Sequence, residues 1–83
     1  MEISDEMYIE ILKEKLEDTQ KQIKKTKKFI DLYKDWHLGS KMQQITRKKS
    51  FDKNTENLPI LESKEKLIKN MIKRLEGLIE GGV

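Results

Sequence analysis

Residues 4–37 read SDEMYIEILKEKLEDTQKQIKKTKKFIDLYKDWH, and this stretch decides the fold. Ile9, Leu12, Leu16, Thr19, Ile23, Thr26, Ile30 and Tyr33 recur at spacings of three and four. That seven-residue repeat is the period of helices packed side by side. It predicts one long amphipathic helix, with Ile9, Leu16, Ile23 and Ile30 at position a and Leu12, Thr19, Thr26 and Tyr33 at position d. The g positions are Tyr8, Lys15, Gln22, Phe29 and Trp36. The seam is apolar at both ends and threonine-weakened in the middle. Met7, Ile11, Leu32 and the g-position aromatics widen it at each end, which suggests more than one helical neighbour there.

The ends of this helix carry their own signals. Ser4 is a good N-cap, and Ile3 with Tyr8 can form a hydrophobic staple. Asp5, Glu6 and Glu10 suit the positive end of the helix dipole, and lysines from Lys24 to Lys34 suit the other. Gly39 can take the left-handed conformation that ends a helix. A helix over 4–37 would be roughly 50 Å long at 1.5 Å per residue.

Beyond it, residues 38–57 read as a basic connector, with a short helix near Ser40–Lys49 carrying Met42 and Ile45. The rest of that segment reads as solvated loop anchored by Phe51. Asn57 and Pro59 suit the start of a second helix over 58–80. Its apolar face is broad, including Leu61, Leu67, Ile68, Met71, Ile72, Leu75, Leu78 and Ile79. Glu62–Lys66 and Glu65–Lys69 stand at favourable spacings on the polar side, and Gly81-Gly82 would stop the helix. At roughly 33 Å it would leave about a third of the long seam bare.

The fold class expected is therefore all-α: a helical hairpin in one domain spanning 1–83, completed as a dimeric bundle. Composition agrees. Apolar residues make up 35% and charged residues 40% of 83 positions, too polar for an all-round core and too periodic for disorder. So small a chain gains missing core by self-association.

Charge is strongly segregated. Residues 1–20 hold seven acids and two lysines, a net −5; residues 21–53 hold eleven bases and three acids, a net +8; residues 54–83 hold five of each. Parallel pairing of two long helices would set like charge on like charge, so an antiparallel homodimer is expected.

The sequence predicts a non-enzymatic protein without cofactor or metal. It has no cysteine and a single histidine, His37, so zinc ligation lacks donors. Glu10, Glu14, Glu17 and Asp18 form a carboxylate stripe, but acid–base work needs a cleft that perturbs pKa values. No glycine-rich phosphate loop or nucleophile elbow is present. No apolar run could span a membrane, and the acidic start differs from a secretion signal, so a cytoplasmic location is expected.

Two surfaces are candidates for a partner. Phe29, Tyr33 and Trp36, flanked by Leu32 and Leu38, would make an aromatic anchor for a protein partner, since aromatic residues dominate interface hot spots. Lys21, Lys24, Lys25, Lys28, Arg47, Lys48 and Lys49 could contact phosphates, giving the alternative of a nucleic-acid-associated protein. Lysine supplies 16 of the 18 bases and lacks the planar fork of arginine, which weakens that alternative.

Overall fold

A computed structural model describes residues 4–80, which form two α-helices in an antiparallel hairpin. Helix α1 spans Asp5–Tyr33 and helix α2 spans Lys41–Glu80. Side by side they make a flat rod of 64 × 23 × 14 Å. The expected all-α hairpin is what the chain builds.

Helix α1 starts where its cap residue stands. Ser4 is extended, with φ −65° and ψ 156°, and its hydroxyl accepts from the Met7 N–H at 3.2 Å. The staple partner Ile3 lies outside the described residues. Ile9, Leu12, Thr19, Ile23 and Thr26 are buried, and Leu16, Ile30 and Tyr33 are half-buried. The repeat read from the sequence is thus the packed edge of α1 along its whole length. Thr19 tolerates burial because its hydroxyl donates to the Lys15 carbonyl at 2.7 Å.

Three expectations are corrected. First, α1 ends at Tyr33 rather than His37. The chain leaves it through two tight turns, with Trp36 N–H donating to the Tyr33 carbonyl and Leu38 N–H to the Asp35 carbonyl, both at 3.0 Å. Gly39 then takes φ +106°, a conformation open to glycine and strained for other residues.

Second, the long basic connector over 38–57 is absent, because α2 begins at Lys41 and runs unbroken for 40 residues. A reciprocal cap starts it: Ser40 Oγ accepts from the Gln43 N–H at 3.3 Å, and Gln43 Oε1 accepts from the Ser40 N–H at 3.1 Å. Pro59 lies inside α2 rather than at its start. It faces solvent, so water can reach the Thr55 carbonyl that the missing N–H leaves without its helical donor. The continuity has a physical source. Gln44, Arg47, Phe51, Asn54, Leu58, Leu61, Glu65, Ile68, Ile72 and Leu75 keep the spacing of three and four, and each is at least half-buried. The period persists where the hydrophobicity does not.

Third, no third of the α1 seam is left bare. The 29 residues of α1 give about 43 Å and the 40 residues of α2 about 60 Å, so the returning helix is the longer.

The core lies at the open end of the hairpin, where Ile9 and Leu12 meet Ile68 and Ile72, with Leu16, Met71 and Leu75 packed around them. Farther along, Thr26 lines a groove with Asn54 and Leu61, and Tyr33 neighbours Arg47 beside the turn. Each half of the rod therefore combines the matching halves of both helices.

Candidate functional site: one apolar broad face

A flat two-helix rod has two broad faces, and the seam residues separate them. The residue just before a seam position falls on one face of the hairpin, and the residue just after falls on the other. Because the helices run in opposite directions, the preceding residues of both share a face. Gln22, Lys25 and Phe29 of α1 accordingly line one groove with Asn57 and Ile60 of α2. On the opposite face Lys13 reaches Glu76 at 3.8 Å, and these two lie beside Glu6 and Glu10.

The two faces differ sharply in chemistry. Preceding positions carry Tyr8, Ile11, Phe29 and Leu32 among Lys15, Asp18, Gln22 and Lys25 on α1, and Ile60, Leu67, Met71 and Leu78 among Gln43, Thr46, Ser50, Lys53, Asn57, Lys64 and Arg74 on α2. Following positions carry Glu10, Lys13, Glu17, Gln20, Lys24, Lys27, Asp31 and Lys34 on α1, all polar. Those of α2 are polar too, apart from Ile45 and Pro59. The apolar face is uncovered in the single chain: Leu32 is 65%, Ile60 66%, Leu67 60% and Leu78 70% exposed. Isolated exposed leucines are ordinary, but Tyr8, Ile11, Leu67, Met71 and Leu78 gather on this face at the open end of the rod.

Along the rod this face has three zones. At the open end are Tyr8, Ile11, Leu67, Met71 and Leu78. In the middle are Lys15, Asp18, Gln22, Asn57 and Lys64 around Ile60. Toward the turn are Phe29 and Leu32.

The aromatic residues singled out in the sequence do not form one stripe. Phe29 and Tyr33 stack on α1 with centroids 6.2 Å apart and an interplanar angle of 14°. Trp36 belongs to the turn, where it meets His37 edge-on at 6.0 Å and lies under the Lys48 ammonium at 5.2 Å. Leu38 is exposed in the same turn. A stripe through residue 36 required α1 to continue past Tyr33.

The basic residues also separate. Lys21, Lys24, Lys25, Lys27 and Lys28 border one shallow surface on α1. Among the described residues, Lys21 pairs with Glu17 at 3.6 Å, and the other four make no ion pair. Lys25 lies 5.9 Å from the Phe29 ring. Arg47 is committed to the turn, donating through Nη1 to the Leu38 carbonyl at 3.2 Å. Lys48 covers Trp36, and Lys49 is exposed. Lys34 pairs with Asp31 at 3.1 Å; that hydrogen bond and charge, with help from Asp35, hold its amine above the usual lysine range.

The carboxylate stripe Glu10, Glu14, Glu17 and Asp18 is solvent-exposed. Among the described residues no three His, Cys, Asp or Glu side chains gather where a metal could sit, and no helix is long and apolar enough to cross a membrane. Compared with protein-family models, curated proteins and solved structures, the chain matches none.

The signal for the broad face was available in the sequence. Tyr8, Ile11 and Leu32 spill over from the seam, but their common side emerges only when α2 is set in the same frame. The polar seam of the first half of α2, with Gln44, Arg47 and Asn54, hides that frame.

Proposed function

We propose that this chain is a non-enzymatic, cytoplasmic interaction protein, an adaptor or inhibitor that binds a protein partner by docking its apolar broad face. The single observation that carries the reading is the contrast between the two faces of the hairpin. An exposed apolar patch rimmed by charge is how soluble proteins mark contact surfaces. The polar face then stays in water and keeps the complex dispersed. Helix-in-groove recognition supplies the mode, with Leu67, Met71 and Leu78 as successive anchors on α2.

Affinity capture from the native host tests it. The wild-type chain and a Lys69→Glu variant on the polar face retain the same partner, whereas Leu67→Glu loses it. Equal capture by both variants would reject the broad face as the working surface.

Lys24, Lys25, Lys27 and Lys28 of α1, which make no ion pair among the described residues, support a second reading, a nucleic-acid-associated protein gripping phosphates along residues 21–49. That reading requires a salt-dependent mobility shift of a generic DNA or RNA fragment. No shift at low salt would remove it.

A further inference from the structure

We propose that the occupant of the apolar face is an acidic amphipathic helix of a different protein, laid along α1 and α2 so that three helices close over the open end. The proposal rests on the broad face being the working surface and adds the chemistry of its partner.

The charge on the face itself points to this occupant. Its positions carry five bases, Lys15, Lys25, Lys53, Lys64 and Arg74, and one acid, Asp18, all of them exposed. The opposite face is nearly balanced, with eight bases and six acids. Lys13 pairs there with Glu76, and Lys34 with Asp31. Among the described residues none of the five bases of the apolar face makes an ion pair. Compensating charge on this face is thus left for a partner to bring.

The bases also stand where a docked helix would meet them. On α2, Lys64, Leu67, Met71, Arg74 and Leu78 follow one another at spacings of three and four, so they form one ridge with a base on either side of Leu67 and Met71. On α1, Tyr8 and Ile11 lead into Lys15 at the same spacing. Leu12 and Ile68 share the core, and Lys15 and Lys64 each lie about one turn beyond them toward the hairpin turn. The two lysines therefore border the apolar zone on that side. A helix with apolar residues every three and four positions would seat them among Tyr8, Ile11, Leu67, Met71 and Leu78. Carboxylates flanking its apolar stripe would then come over Lys15, Lys64 and Arg74.

Other occupants fit this face less well. A second copy would lay one net-positive face on another, whichever way it ran. Nucleic acid would answer the bases but set phosphates on Leu67, Met71 and Leu78, and Lys24, Lys27 and Lys28, on which that reading draws, lie off this face.

Two designed helical peptides test the proposal. They share one leucine stripe, and their polar faces carry glutamates in one and lysines in the other. In fluorescence anisotropy at physiological ionic strength, the wild-type chain should bind the glutamate peptide on the order of tenfold more tightly than the lysine peptide. Lys64→Glu combined with Arg74→Glu should reverse that preference, while Lys69→Glu, on the polar face, should keep it. Circular dichroism confirms that the variants keep their helix, since all three positions are exposed. Equal binding of the two peptides, binding of neither, or a preference unmoved by the double variant would overturn the proposal. So would a dimer, or a complex with a generic DNA fragment, that Leu67→Glu abolishes, because the face would then have a different occupant. If the glutamate peptide is not preferred but Leu67→Glu still loses the partner captured from the host, this inference ends and the proposed function stands. Binding of the glutamate peptide that survives Leu67→Glu would reject the face itself.

Discussion

The open half and the turn half of the hairpin use the same spacing and fill it differently. In the open half, Ile9, Leu12, Ile68 and Ile72 meet across the helices, far apart in sequence. In the turn half the α2 seam holds Gln44, Arg47 and Asn54, and order comes from short-range hydrogen bonds. Ser40 and Gln43 cap each other, Gln44 Nε2 donates to the Gly39 carbonyl at 3.0 Å, Arg47 holds Leu38, and Asn54 Nδ2 donates to the Ser50 carbonyl at 2.7 Å. Apolar burial supplies the larger share of folding free energy, and polar contacts mostly exchange one hydrogen bond for another. The open half should therefore set the stability, and the turn half the geometry.

Four substitutions would break or sharpen that contrast. The largest effect falls in the open half: Leu12→Ala removes a buried side chain from the core cluster and should cost about 2–5 kcal/mol. Urea titration followed by circular dichroism checks it, and a loss under 1 kcal/mol would deny the open half its leading role. Pro59→Ala acts at the boundary and in the opposite direction. It restores an N–H to the Thr55 carbonyl and should stabilise the chain by up to about 3 kcal/mol. An unchanged melting temperature would show that α2 is not one continuous helix in solution.

The turn half should respond more weakly. At Gly39, with φ +106°, a Cβ would lie 2.6 Å from Gln43 Oε1, so Gly39→Ala both strains the backbone and displaces the amide that caps Ser40. The cost should be about 1–2 kcal/mol, the usual penalty for a left-handed non-glycine residue. Ser40→Ala should cost about 1 kcal/mol as a lost N-cap. A Ser40→Ala loss as large as that of Leu12→Ala would reverse the ranking of the two halves.

The same contrast explains how much was legible in the sequence. All eight seam residues of α1 were readable, because there the period and the hydrophobicity coincide. So was the cap at Ser4. In α2 the two signals part company. Leu61 to Ile79 announced a helix, but Gln44, Arg47 and Asn54 occupy seam positions with polar side chains, and a hydrophobic pattern cannot detect them. Pro59 then looked like a beginning, since proline usually marks one. The broad face inherited that loss. Helical spacing in the sequence joins Trp36 and Leu38 to Phe29 and Tyr33, but α1 ends at Tyr33 and the chain does not maintain that spacing. Ile60, Leu67 and Leu78 emerged as partners of Tyr8, Ile11 and Leu32 only once both helices shared one frame.

The central claim is that one broad face works and the other does not. Ile11 and Lys13 flank the buried Leu12 on opposite faces. Affinity capture with Ile11→Glu and Lys13→Glu beside the wild-type chain therefore separates the two faces. Ile11→Glu should lose the partner that the wild-type chain captures, while Lys13→Glu should retain it. Equal capture by the two variants would show that the faces do not differ in function.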